Sequence, residues 1–130
     1  MGLYSFIAVG TGAAIGAVLR WWFGIWFNPL FPTVPLGTLA ANLLGGYLMG
    51  LAVGYFALHE SLAPEVRLFV TTGFLGGLTT FSTFSAETVT LLLREQTGWA
   101  ALTILVHVAG SLSLTLLGIL TVDWLKAQWG

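Results

Sequence analysis

The sequence predicts an all-α membrane protein in a single domain, residues 1–130, with four transmembrane helices of which the third is broken. Hydrophobic residues make up 57% of the chain and charged residues only 7%, whereas a soluble domain carries roughly a quarter charged residues. Ionisable residues and prolines divide the chain into four apolar stretches, each long enough for the roughly 20 residues that cross a bilayer. Glycines and hydroxyl side chains fill the centre of the third stretch.

The first span is expected at residues 3–27 and the second at residues 37–58. Asn28-Pro29 ends the first span, and the polar loop that begins at His59 ends the second. The N-terminus lacks a basic segment followed by a small-residue cleavage site, so the first stretch is expected to remain as a span. Both spans carry glycines at four-residue steps, a spacing typical of faces where helix backbones approach closely: Gly12 and Gly16, then Gly46, Gly50 and Gly54.

The third span, expected at residues 66–93, holds the run Gly-Phe-Leu-Gly-Gly-Leu-Thr-Thr-Phe-Ser-Thr-Phe-Ser at 73–85. Backbone at membrane depth leaves the helix only where protein or a water-filled path satisfies its polar groups. We expect Gly76-Gly77 to unwind the helix and to free carbonyl oxygens such as those of Gly76 and Thr79. Carbonyls aimed at one point are hard ligands suited to a small cation.

Two phenylalanines in this run, Phe81 and Phe84, stand three residues apart on one helical face. Ordinary core packing is one interpretation of that spacing. A second uses the positive edge of the aromatic ring, against which an anion can lie without a full counter-charge. Under that interpretation Ser82, Thr83 and the amide of Asn42 supply hydrogen-bond donors.

The fourth span, expected at residues 99–125, carries a narrow polar track. His107, Ser111 and Thr115 recur at four-residue steps and therefore lie on one helical face. Ser and Thr hydroxyls at such positions either face a polar interior or bond the carbonyls of their own helix. The pattern alone leaves both interpretations open.

The remaining polar residues at membrane depth also have two interpretations each, since such residues are costly and usually face a bundle interior or an aqueous cavity. Asn42 lies one helical step from Thr38 and either joins helices or serves a polar path. Glu87 either couples a proton or cation or accepts a hydrogen bond from hydroxyls such as that of Thr38. Arg20 either extends to the interface or lines a vestibule that attracts anions.

Charge placement gives no preferred orientation in the membrane. Arg67 and Lys126 lie on the side expected to hold both termini, and Arg20 and Arg94 lie on or nearest the opposite side. Positive charges in short loops set topology, so a count of two against two has two interpretations. It is either a weak signal in a short protein or a sign of dual topology, with the chain inserting both ways up. Such a chain can pair with itself as an antiparallel homodimer. The six tryptophans cluster near span ends, as expected of an interfacial belt.

Composition also narrows the function classes. A net charge of −1 without a basic run offers no footprint for nucleic acid, so no nucleic-acid partner is expected. The absence of cysteine removes disulfides, thiolate nucleophiles and Cys-ligated metals. No nucleophile–base set stands out, so an enzyme is not expected.

Three segments together resemble the Fluc, or CrcB, family of fluoride channels. Residues 73–84, Gly-Phe-Leu-Gly-Gly-Leu-Thr-Thr-Phe-Ser-Thr-Phe, are similar to the family's third-helix signature. Residues 10–20, Gly-Thr-Gly-Ala-Ala-Ile-Gly-Ala-Val-Leu-Arg, are similar to its first-helix motif, and residues 37–45, Gly-Thr-Leu-Ala-Ala-Asn-Leu-Leu-Gly, to its second. Length, four spans and balanced charges agree with the family along the whole chain.

The resemblance implies an antiparallel, dual-topology homodimer in the bacterial inner membrane that exports fluoride passively and lowers its cytoplasmic concentration. It implies a structural, untransported Na⁺ at the dimer centre, held by the backbone carbonyls of Gly76 and Thr79. The positions that match the family's fluoride pore are Asn42, Phe81, Phe84, Ser111, Thr115 and Thr83. Vestibule or accessory positions are Arg20, Thr38, Glu87 and His107, the last at a site where family members vary and often have tyrosine.

The sequence can be compared with two functions other than a fluoride channel. A small multidrug transporter also has four spans and pairs antiparallel, but it needs a membrane-embedded carboxylate in its first helix, and here the first span holds only Arg20. A non-transporting helper subunit would use the glycine faces but would not need a broken helix, an asparagine and hydroxyls at one depth. The residues alone do not separate a channel from a proton-coupled carrier, because Glu87 and His107 are both titratable.

Overall fold

The computed structural model describes residues 2–129, and every long element in that range is a helix. Helix α1 spans Leu3–Phe27 and is followed by a 3₁₀ turn at Asn28–Leu30, and helix α2 spans Leu36–Leu58. Helix α3 covers 64–78, helix α4 spans Phe81–Leu93 and helix α5 spans Thr97–Trp129. Three uninterrupted stretches are long and apolar enough to cross a membrane: Leu3–Leu30, Leu36–Leu58 and Thr97–Trp129. The predicted third span is interrupted, so four crossings and a single domain stay predictions.

The turn between α1 and α2 is held by one side chain. Asn28 Oδ1 accepts hydrogen bonds from the amides of Gly37, at 2.7 Å, and Thr38, at 3.3 Å. These amides belong to the first turn of α2, where a helix has no internal acceptors for its N–H groups. Asn28 therefore ends α1 and caps α2, which places Thr38 and Asn42 beside the end of the first helix.

The broken span has a different local structure from the one the glycines predicted. Helix α3 starts as α-helix at Pro64–Leu68, widens to a π-helix at Phe69–Leu75 and returns to α-helix at Gly76–Leu78. The chain becomes extended at Thr79 (φ −85°, ψ 155°) and Thr80 (φ −148°, ψ 116°) before α4 begins. The expectation that Gly76-Gly77 unwinds was therefore wrong, because both glycines are helical and the break lies just after them.

Those glycines instead allow two helices to touch. A Cβ atom at Gly77 would lie 3.0 Å from Ala13 Cα, and one at Gly12 would lie 2.8 Å from Phe74 N. Since backbone atoms cannot swing aside as a flexible side chain can, α1 and α3 can pack this closely only with glycine at these positions.

The second tight contact joins α2 to α5. A Cβ atom at Gly50 would lie 2.9 Å from Gly118 Cα, so this helix pair also meets backbone to backbone. Helix α5 has 33 residues and is about 50 Å long at 1.5 Å per residue. It exceeds the roughly 30 Å of hydrocarbon, so its ends extend beyond that layer. A small core where α2 meets α3, with Leu75 and Leu78 almost fully buried, fixes the break against α2.

Candidate functional site

The break between α3 and α4 is held by the carboxamide of Asn42 on α2. Asn42 Oδ1 accepts from the amide of Thr80 at 2.7 Å, and Asn42 Nδ2 donates to the carbonyl of the same residue at 3.1 Å. The side chain thus replaces the helical hydrogen bond that the interruption removes from the Thr80 amide and adds a hydrogen bond to the Thr80 carbonyl. Asn42 Nδ2 also lies 3.0 Å from Nδ1 of His107 on α5. Three helical segments therefore meet at one amide group.

Thr80 also supplies the cap of α4. Its Oγ1 accepts from the amide of Thr83 at 3.1 Å, the hydrogen bond of an N-cap residue. Sequence reasoning gave Thr80 no function of its own. The signal was available, since a threonine directly before an apolar helical segment is a typical N-cap.

The Asn42 carboxamide and the Thr80 N-cap together leave two backbone carbonyls without their helical hydrogen bonds. In a continuous helix the amide of Thr80 would bond the carbonyl of Gly76, and the amide of Thr83 would bond the carbonyl of Thr79. Both amides are held elsewhere, by Asn42 and by Thr80 Oγ1. The carbonyls of Gly76 and Thr79 are thereby left without their helical partners.

Arg20 holds the neighbouring carbonyl. Its Nε donates to Gly77 O at 3.0 Å, close to the C-terminal end of α3, where the helix dipole favours a positive charge. The same side chain borders a cavity of about 300 Å³ together with Thr38, Thr80 and Thr83. Arg20 thus reaches the break from α1 while also lining a polar recess.

A larger cavity of about 420 Å³ opens beside the break. Phe84 is 8% exposed and packs against His107 at a ring-centroid distance of 4.7 Å, whereas Phe81 is 77% exposed. The two phenylalanine rings stand 5.6 Å apart in an edge-to-face arrangement. The accessory position His107 lines this cavity, and so do all of the predicted pore and cation residues except Thr83: Asn42, Gly76, Thr79, Phe81, Phe84, Ser111 and Thr115.

The polar track on α5 faces this cavity, but its members differ in what they offer. Thr115 donates to the carbonyls of Gly46 and Ser111, at 2.9 Å each, so its hydroxyl proton is used to join α5 to α2. Among the described residues none hydrogen-bonds to Ser111 Oγ, which leaves that hydroxyl available. His107 is 4% exposed, and its Nε2 is buried without a partner in residues 2–129.

Glu87 and Thr38 lie away from the large cavity and contact each other. Thr38 Oγ1 donates to Glu87 Oε2 at 2.6 Å, so the hydroxyl–carboxylate bond considered from the sequence is present. Glu87 Oε1 is buried without a partner in the described chain. Thr83 borders both the Arg20 recess and a further recess that holds Glu87 and Arg94. Polar side chains thus continue from Arg20 toward the C-terminal end of α4.

The fold and this site define a class of protein. An α-helical chain with three membrane-capable helices, and a broken helix bordering a cavity with polar side chains at membrane depth, has the architecture of ion channels and small transporters. A family model described as "CrcB-like protein, Camphor Resistance (CrcB)" matches residues 7–119, so the chain belongs to the CrcB family.

Relatives match along nearly the full length. A protein of Nitrosospira multiformis named fluoride-specific ion channel FluC is 67% identical over 125 residues, which cover 96% of this chain and 98% of that protein. Proteins with the same name from Tolumonas auensis and Cupriavidus taiwanensis are each 60% identical. Those matches cover 95% and 93% of this chain and 98% and 96% of theirs. The chain is therefore a multi-pass membrane protein of a family whose relatives are named as ion channels, a non-enzyme class.

Proposed function

We propose that this protein is a fluoride channel of the bacterial inner membrane that lowers cytoplasmic fluoride by passive export. The observation that carries the proposal is the 420 Å³ cavity, in which Phe81, Phe84 and the hydroxyl of Ser111 border the break in one span. Relatives that are 60–67% identical over nearly the whole chain carry the name fluoride-specific ion channel.

The lining of the cavity suits a small, strongly hydrated anion. Fluoride enters only where donors and positive ring edges replace its water, and conduction also requires binding weak enough for the ion to leave. The phenylalanine edges and the free hydroxyl of Ser111 offer such partial charges. Asn42, predicted to donate in the pore, has both N–H groups directed at Thr80 and His107. Its contribution is then to hold the break in place.

The working unit is an antiparallel homodimer with dual topology. Gly76 and Phe81 are exposed beside two residues of extended backbone, and such a break within hydrocarbon has to be covered by protein or water. A second, inverted copy would cover it and would close the open side of the cavity. The balance of two positive charges on each side supports insertion in both orientations.

The break also suits a structural Na⁺ at the dimer centre. The carbonyl oxygens of Gly76 and Thr79, freed from helical hydrogen bonds, are oxygen ligands of the kind that a small hard cation prefers. Residues 2–129 hold no cluster of three His, Asp or Glu side chains that would bind a metal instead. A bound Na⁺ would supply a steady positive potential beside the anion path, and the second copy would contribute the same two carbonyls.

Fluoride efflux from proteoliposomes tests the function. With a potassium gradient and valinomycin present, we expect rapid fluoride efflux without a proton uncoupler and none of comparable rate for chloride. Protein-free liposomes are the control. Efflux that requires an imposed pH gradient would show that the protein is a proton-coupled carrier, the mechanism of the small multidrug transporters, and would exclude a channel. No fluoride efflux in either condition would reject the proposal.

Topology can be tested separately because the chain contains no cysteine. A single cysteine at Glu60, in the exposed loop after α2, gives one labelling site. In membrane vesicles of uniform orientation, an impermeant maleimide should label about half of the molecules from outside and the rest only after permeabilisation. Labelling of all or none from outside would exclude dual topology.

A further inference from the structure

We propose that His107, as the tautomer with its proton on Nε2, is a positioning residue that fixes the Asn42 carboxamide at the helix break. His107 lies on α5 and Asn42 on α2, 65 residues apart in the chain, and their nitrogen atoms are 3.0 Å apart. The geometry concerns the break itself; its consequence for fluoride conduction rests on the proposed function.

The orientation of the Asn42 amide is set by backbone. Oδ1 faces the N–H of Thr80 at 2.7 Å and Nδ2 faces its carbonyl at 3.1 Å. A flipped amide would place NH₂ against N–H and oxygen against oxygen, and both contacts would be repulsive. The atom that faces His107 is therefore the NH₂ nitrogen, which can only donate.

The tautomer of His107 follows from that orientation. Since Nδ2 of Asn42 only donates, Nδ1 of His107 accepts and carries no proton, so the neutral ring holds its proton on Nε2. That Nε2 is buried and has no partner among the described residues. The tautomer of His107 is thus set by the hydrogen bond to Asn42 and not by a contact at Nε2.

The imidazole is well placed to hold the amide rigidly. It is 4% exposed and packs against the ring of Phe84, which restricts its rotation. The second N–H of the Asn42 carboxamide donates to Nδ1 of His107. This bond holds the carboxamide in the plane in which it bonds both the N–H and the C=O of Thr80. His107 therefore acts through Asn42 on the segment that releases the Gly76 and Thr79 carbonyls and starts the helix bearing Phe81.

Three substitutions separate the two ring nitrogens. His107→Asn places an oxygen acceptor where Nδ1 stands and removes the Nε2 donor. His107→Gln provides a donor near Nε2 but lacks the acceptor at Nδ1. His107→Phe removes both groups. We expect fluoride efflux to be retained in the Asn variant and to fall about tenfold in the Gln and Phe variants, the factor of one buried hydrogen bond. If Gln preserves efflux and Asn abolishes it, the ring acts through Nε2 and the proposal is wrong. Equal efflux in all three would also refute it.

A spectroscopic measurement tests the tautomer without reference to fluoride. The chain has two histidines, and Nδ1 of His59 lies 2.9 Å from the carbonyl of Tyr55, which requires the opposite proton position. In ¹⁵N NMR of the whole protein, with His59→Gln for assignment, His107 should show an unprotonated Nδ1. Asn42→Asp replaces the donor by an acceptor and should move a proton onto Nδ1. A proton on Nδ1 in the unaltered protein would overturn the proposal even if the protein conducts fluoride. An unprotonated Nδ1 would support the proposal even if the protein does not conduct fluoride.

Discussion

Replacing Asn42 with alanine should destabilise the protein far more than the loss of an ordinary interhelical hydrogen bond. The carboxamide pairs the N–H and the C=O of Thr80, at 2.7 and 3.1 Å. Within residues 2–129 this N–H has no other partner, whereas the C=O also accepts the first hydrogen bond of α4. An unpaired buried polar group costs about 1–3 kcal/mol, and Thr80 is half-buried, so the lower end applies to its N–H. The lost hydrogen bonds to the Thr80 carbonyl and to His107 Nδ1 add about 0.6 kcal/mol each. The expected loss in free energy of unfolding is therefore about 2 kcal/mol or more.

Tyr47→Phe is the matched control. Tyr47 also lies on α2, and its hydroxyl donates to Thr121 Oγ1 on α5 at 3.0 Å, so this change removes one hydrogen bond between side chains. Such bonds average about 0.6 kcal/mol in membrane proteins. Unfolding of both variants by SDS in mixed micelles, followed by helical circular dichroism, gives the comparison. If Asn42→Ala is no less stable than Tyr47→Phe, the amide does not hold the break.

Three further predictions concern the edges, packing and cap of the site. Phe81→Ile with Phe84→Ile keeps the side chains apolar but removes the aromatic edges, so fluoride efflux from proteoliposomes should fall at least about tenfold; undiminished efflux would disprove the role of the rings. Gly12→Ala places a Cβ 2.8 Å from backbone of α3 and should destabilise the fold by about 1–3 kcal/mol in SDS titration. Gly10→Ala, which meets nothing within 4 Å, should change stability little, and equal losses would contradict the packing argument. Thr80→Val removes the cap of α4 at a cost of about 1 kcal/mol, while Thr80→Ser should retain it, again measured by SDS unfolding.

The sequence by itself determined the helical class and the course of α1 and α2. Hydropathy does this because the bilayer requirement is local: a stretch must be apolar and long enough, whatever it packs against. The run at 73–85 likewise predicted an interruption, because glycines and hydroxyls at that depth do not suit a lipid-facing helix. The resemblance of that run to a channel family agrees with the family model that matches residues 7–119.

Only the tertiary structure decided where the helix breaks and what holds it. Gly76 and Gly77 are able to unwind, yet Gly77 stays helical against Ala13 of α1, where any larger residue would collide. The break moves to Thr79 and Thr80 because partners distant in the chain replace the lost helical bonds there. Asn42 pairs with Thr80 across 38 residues and with His107 across 65, and local sequence carries no information about hydrogen bonds that packing brings together.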